Sequence, residues 1–193
     1  TRVQKTPARF DRDKLLAFNL DAIQAMSVEV FRELVHAHGA LYHPVFMESL
    51  TAEQFDLLAD ASRERSKTLD DLFKSNDWLL LGDEELAWPV TKPVRKAMLK
   101  GEVPGWTVLQ HAVELLERAE PFEASSLEIA VTEWAEANCD GNLGKIAQPL
   151  RIAVTGGPVS PPIFDTLAML GRARCLTRIK GCLAAMEAAS SAT

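Results

Sequence analysis

From Ser27 to Leu183 the apolar residues recur at helical spacing, and no alternating run lasts beyond a short stretch such as WLLL at 78–81. That pattern argues against a sheet-based fold, because a half-buried strand needs period two over 4–8 residues. Val30, Phe31, Leu34 and Val35 share one face of a segment that starts at Ser27 and is expected to stop at Gly39. Thr51 and Gln54 make a capping-box pattern ahead of Phe55, Leu57, Leu58 and Ala61. Thr68 is placed to open a further short helix. Residues 75–105 are less regular, punctuated by Pro89, Pro93 and Pro104, although PVRKAMLKG reads as a short helix closed by Gly101.

The second half is patterned more strongly. Leu109, Ala112, Val113 and Leu116 form one stripe between Trp106 and Ala119, and Ser125 with Glu128 gives a second capping-box pattern. Lys145 to Val154 reads as a helix despite Pro149, which has to lie in its first turn or kink it. Ser160 followed by Pro161 predicts an N-cap and a first helical position, with Ile163, Phe164, Leu167 and Leu170 facing the core and Gly171 ending the helix. A last helix runs through Leu176, Ile179 and Leu183. No repeat of 20–50 residues is visible. The expected fold class is all-α, built as two consecutive helical bundles with a seam near residues 74–80.

At 193 residues the chain can hold one core or two small helical subdomains, and 47% hydrophobic with 25% charged residues is the composition of a soluble globular protein. No run of 18 apolar residues exists, which excludes a transmembrane helix. The basic amino end, TRVQKTPARFDRDK, has no apolar core after it and so is not a secretory signal; its first residue is not Met, which suggests a trimmed or excised chain. Cys139, Cys175 and Cys182 are odd in number and lack metal-type spacing, as expected of reduced thiols in a cytosol. The net charge of −6 is unevenly spread. From Gly144 onward, Lys145, Arg151, Arg172, Arg174, Arg178 and Lys180 are opposed only by Asp165 and Glu187. That region is net +4 and residues 1–143 are net −10, so a phosphate-binding face is available as well as ordinary solvated helix faces.

No pattern for covalent chemistry is present: no phosphate loop, no dinucleotide fingerprint and no C-x-x-C pair. His36, His38 and His43 raise the question of a metal. Two histidines at i, i+2 do not share a helix face, and no carboxylate at suitable spacing completes the set, so no metal site is expected. The four tryptophans sit among core-type residues and read as packing. Two arginine-bearing features remain. Arg63, Arg65 and Lys67 gather in RERSKTL before a helix start, and Arg151 precedes a TGGP break beyond which Ser160 opens the next helix. A guanidinium beside a cap hydroxyl and a helix amino terminus can bind a phosphate or a base edge. It can equally well bond the preceding carbonyls.

The string Gln148-Pro149-Leu150-Arg151, Thr155-Gly156, Ser160-Pro161, Leu170-Gly171 resembles the last anticodon-binding subdomain of bacterial glutamyl-tRNA synthetase, a class I aminoacyl-tRNA synthetase. The amino end agrees. Ala8, Phe10, Asp11, Lys14, Leu15 and Asn19 resemble the family's K-x-P-A-x-F-D-x-x-K-L-x-W-x-N segment, although Ala17 stands at its tryptophan and Ala22 at its tyrosine. Arg65, Thr68 and Leu69 resemble the family's R-x-x-T-L. The matched positions run from about residue 5 to about residue 183, with 75–135 matched by helix pattern alone.

The resemblance implies an α-helical cage divided into the end of a stem-contact region (1–26) and two anticodon-binding subdomains (27–77 and 78–193). It implies that Arg65 reads the anticodon and helps to reject glutamine tRNA. Arg151, Ser160, Pro161 and Ile163 would hold the remaining anticodon bases. The implied partner is glutamate tRNA, with no DNA and no membrane, and the implied state is a cytoplasmic monomer. The family's enzyme uses ATP and magnesium through HIGH- and KMSKS-type motifs, and neither motif occurs in these 193 residues, which leaves no catalytic, cofactor or metal residue to assign. A helical protein-interaction module that kept the fold and lost RNA binding is the competing expectation, favoured by the acidic first 143 residues and the two alanine departures.

Overall fold

The computed structural model describes residues 11–191, so the expectations placed on Ala8 and Phe10 lie outside the described residues. Within that range every regular element is a helix, and none is long and apolar enough to cross a membrane. The chain divides into two compact units, one ending at Lys74 and the other beginning at Ser75.

The first unit holds α1 (Arg12–Ala25), α2 (Val28–Tyr42), α3 (Pro44–Glu48), α4 (Ala52–Arg63) and most of α5 (Asp70–Ser75). Ser27 caps α2 by accepting from the Val30 N–H, and both bonds of the Thr51–Gln54 capping box form at the start of α4. Helix α2 packs on α4, burying Phe31, Val35, Phe55 and Leu58. Each such side chain contributes about 1.5–3 kcal/mol. Contrary to expectation, α2 passes through Gly39 and ends at Tyr42. A Cβ at Gly39 would lie 2.4 Å from Met47 Sδ and 2.9 Å from Phe73 Cζ, so this glycine admits α3 and Phe73 instead of ending the helix. The helix expected to open at Thr68 begins at Asp70. Asp71 accepts from the backbone N–H groups of Lys67 and Thr68 and from the Thr68 hydroxyl.

The second unit begins with a 3₁₀ turn (Asp77–Leu79) and holds α6 (Lys92–Met98), α7 (Gly105–Arg118), α8 (Ala124–Asn138), α9 (Gly144–Thr155), α10 (Ile163–Leu170) and α11 (Arg172–Ser191). Helix α9 is its axis. It packs against α6, α7, α8, α10 and α11, and it buries Ile146, Leu150, Ile152, Ala153 and Val154. A helix apolar on nearly every side has to be enclosed in this way. Pro149 lies inside α9, beyond the first turn, and cannot donate to the carbonyl of Lys145. The second capping box does not form. Helix α8 starts at Ala124, so Ser125 falls within its first turn and the Glu123 cap makes no side-chain bond. The three cysteines are buried free thiols, and burial pushes Cys175 and Cys182 up to about 12.

The four carbonyls from Arg151 to Val154 in the last turn of α9 are taken, as a buried helix end requires. Arg151 O accepts from Thr155 Oγ1, Ile152 O from the Gly156 N–H, Ala153 O from Trp88 Nε1, and Val154 O from Arg178 Nη1 at 2.7 Å. Arg178, on α11, is fully buried. Its Nε donates to Asp83 Oδ1 at 2.7 Å, and its Nη2 donates to the Trp78 and Leu81 carbonyls. Burial lowers its pKa and Asp83 opposes that shift. Burial raises the pKa of Asp83, but hydrogen bonds from Arg178 and Arg174 outweigh it and leave the carboxyl below its ordinary value. Asp83 therefore contributes stability above its unfolded pKa of about 3.9, and that contribution disappears as pH falls through the lower folded value.

Breaking a buried ion pair strands the remaining charge, so Arg178→Ala is expected to destabilise the second unit by about 3–5 kcal/mol in urea denaturation. Arg174→Ala, whose guanidinium is well exposed, is expected to cost under about 1 kcal/mol. Equal effects of the two would contradict this assignment.

Candidate functional site

The joint between α9 and α10 is built from its own side chains. Arg151 is half-buried on α9. Its Nε donates to Ser160 Oγ at 3.0 Å and its Nη1 to Gln148 Oε1 at 2.8 Å. Gln148, three residues earlier on the same helix face, also donates from Nε2 to the Pro158 carbonyl at 2.9 Å. The joint turns at Gly156, whose left-handed φ of 76° ends α9. Thr155 Oγ1 bonds to the backbone of Gly157 from inside the turn.

Ser160 does not act as an N-cap. Helix α10 begins at Ile163, with Pro162 at the cap position and no side-chain cap bond. The Ser160 hydroxyl instead accepts from Arg151 and donates to the Pro161 carbonyl at 2.7 Å, because two successive prolines keep the chain extended past it. Of the expected joint residues, Ser160, Pro161 and Ile163 are buried beneath the surface, while Arg151 keeps accessible area and Val159 is 63% exposed at the rim. The structure thus brings Arg151, Ser160 and Pro161 into one network and puts Ile163 at the start of the following helix. On the first turn of α10, burial and nearby Glu128 hold the Asp165 carboxyl above its ordinary value.

Arg65 belongs to the first unit. It is exposed just past the end of α4, where its Nη2 donates to the Ala61 carbonyl at 3.0 Å. Its neighbour Arg63 is occupied in holding the end of α1 through the Gln24 and Met26 carbonyls.

The charge count misplaced the cationic surface. Arg172 pairs with Glu120, and Arg174 and Arg178 pair with Asp83, so three of the six basic residues after Gly144 hold the fold together. A cleft of about 890 Å³ lies elsewhere in the second unit, between α6, the start of α7, the end of α8 and the start of α9. Lys96, Lys100 and Lys145 line it, together with Gln148 and the His111–Trp134 ring pair, whose centroids are 5.4 Å apart. Two of those lysines come from the region counted as acidic. Gln148 touches both features, bracing Arg151 and lining the cleft. Trp134, expected as packing, is half-buried on the cleft wall. The helical spacing of Lys96 and Lys100 was a signal available in the sequence; their meeting with Lys145 was not.

The histidines also depart from expectation. His36 pairs with Asp56, while His38 and His43 converge on Asp70, a carboxylate 27 residues beyond His43.

Fold and site together describe an all-helical domain whose most elaborated feature is an arginine-bearing joint beside a cationic cleft. The chain belongs to the anticodon binding domain family, whose model matches residues 30–183. It is 34% identical over 190 residues to a glutamate–tRNA ligase of Streptomyces griseus, covering 96% of this chain and 36% of that protein. It is 32% identical over 180 residues to a glutamate–tRNA ligase of Corynebacterium efficiens, covering 93% of this chain and 35% of that protein. The chain therefore spans about a third of the length of these relatives. A solved glutamate tRNA ligase from Elizabethkingia meningosepticum, in complex with its amino acid, shares the fold with a TM-score of 0.68 at 22% identity, over 95% of this chain and 34% of that one.

The cleft depends on a close helix approach. A Cβ on Gly105, the first residue of α7, would lie 2.3 Å from the Ala97 carbonyl oxygen and 2.8 Å from Pro149 Cγ, so α6 and α9 would have to retreat from the start of α7. Gly105→Ala is expected to cost about 1–3 kcal/mol in thermal or urea unfolding, the range for overpacking. Gly157→Ala, with open space at its Cβ, is the control and should leave the midpoint almost unchanged.

Proposed function

We propose that this chain binds the anticodon arm of glutamate tRNA, as the recognition part of a glutamate–tRNA ligase. The observation that carries the reading is the Arg151 guanidinium, held in one orientation by Gln148 and Ser160 at an accessible joint within the segment matched by the family model. A fixed guanidinium plane suits bidentate bonding to a base edge, and its orientation is established before RNA arrives. Single-stranded loop bases are read in this way once they are splayed from their stack. Pro161 and Ile163 shape the apolar floor beneath, and Lys96, Lys100 and Lys145 supply sequence-independent attraction for the phosphate backbone. Arg65 serves as a second reader on the first unit, set against glutamine tRNA. On this reading the chain works as a monomer in the cytoplasm. Activation of glutamate with ATP and magnesium belongs to residues with HIGH- and KMSKS-type motifs, which these 193 residues do not include.

Filter binding with glutamate tRNA and anticodon-substituted variants tests the proposal. Arg151→Ala is expected to weaken binding by about 1–3 kcal/mol while leaving the thermal midpoint nearly in place. Lys100→Glu should weaken binding to all tRNAs alike and flatten its salt dependence. Affinity that ignores both anticodon and salt would sink the proposal and favour a protein-interaction role for the fold.

Arg65→Gln is expected to narrow the preference for glutamate over glutamine tRNA. Unchanged discrimination in the same assay would remove Arg65 from the reading set.

A further inference from the structure

At one corner of the first unit, three side chains from separate elements converge. His38 lies on α2, His43 lies between α2 and α3, and Asp70 opens α5. Asp70 Oδ1 meets His43 Nε2 at 2.6 Å and His38 Nε2 at 3.4 Å, and the three donor atoms all lie within 4.8 Å of one another. We propose that His38, His43 and Asp70 form a binding site for one divalent first-row transition ion of the zinc type, with water completing its coordination.

The donor set selects the ion class. Two imidazole nitrogens and one carboxylate oxygen suit zinc and its neighbours, whereas calcium and magnesium take oxygen ligands. Ligand atoms on a tetrahedral zinc with bonds near 2.1 Å stand about 3.4 Å apart, so side-chain adjustments smaller than a rotamer change convert this cluster into a coordination shell. The supporting contacts are already made. The His43 ring lies flat on Phe73, with centroids 4.2 Å apart and planes 7° apart, and His38 leans on Tyr42 at 4.8 Å. Lys74 Nζ holds the other carboxylate oxygen, Asp70 Oδ2, at 2.5 Å, which leaves Oδ1 directed at the two rings. Outer contacts of this kind fix ligand orientation in metal sites. All three side chains keep 20–28% of their area exposed, which gives an ion a way in.

Isothermal titration of the chelator-treated chain with zinc chloride at neutral pH tests the site. Saturable binding of one ion per chain is expected, weakened by at least about tenfold in His38→Gln and in Asp70→Asn and unaltered in His36→Ala. Because a substitution at this corner can disturb packing, the unaltered chain provides an independent measurement. Zinc should shift the imidazole NMR signals of His38 and His43 and leave those of His111 in place. No saturable binding, binding that survives both ligand substitutions, or NMR shifts confined to His36 or His111 would overturn the proposal. None of these outcomes bears on tRNA recognition, which is read in a separate assay.

Discussion

The second unit is organised around one buried cation. Arg178 spends its guanidinium donors on the Asp83 carboxylate and on three carbonyls from two distant segments. Taking that charge out of water is costly, and only this complete set of partners offsets the cost. What the arrangement secures is a single geometry. The stretch from Trp78 to Asp83, the end of α9 and the body of α11 meet at one residue. Since α9 ends a few residues beyond Arg151, the joint that presents Arg151 is positioned from behind by the clamp.

The chain thus uses arginine in two opposed ways. Arg178 is fully buried and bonded to main-chain oxygens, so it carries no information outward. Arg151 is half-buried and held by two side-chain oxygens, Gln148 Oε1 and Ser160 Oγ. Unlike Arg178, it keeps accessible area at the joint. Sequence charge counts treat these residues alike, and this is why the +4 balance after Gly144 included three arginines that are committed to the fold.

Helix existence was legible in the sequence because it depends on local periodicity, and the caps at Ser27 and Thr51 were legible because they depend on neighbours three residues away. The failures share a cause. Gly39 looked like a helix stop because the contact that explains it, with Met47 and Phe73, is tertiary. Ser160 looked like an N-cap because the competing partner, Arg151, lies on the preceding helix. Asp70 was invisible as a partner of His38 and His43 because chain separation says nothing about where a later helix begins. The arginine of the joint and its motif could be read; the lysine cleft and the histidine–aspartate corner required the fold.

The bond from Arg178 to Trp78 has a consequence in time. It joins residues 100 positions apart, whereas the longest hydrogen bond described in the first unit spans 40, from Gln24 to Glu64. At about 5–20 residues per second, a ribosome needs roughly 5–20 seconds to deliver the second partner after the first. During that interval Asp83 waits for Arg178, and so does the Val154 carbonyl once it has been made. The first unit can mature while synthesis continues; the second must wait for its final helix, so the clamp also sets the order in which the two units are finished.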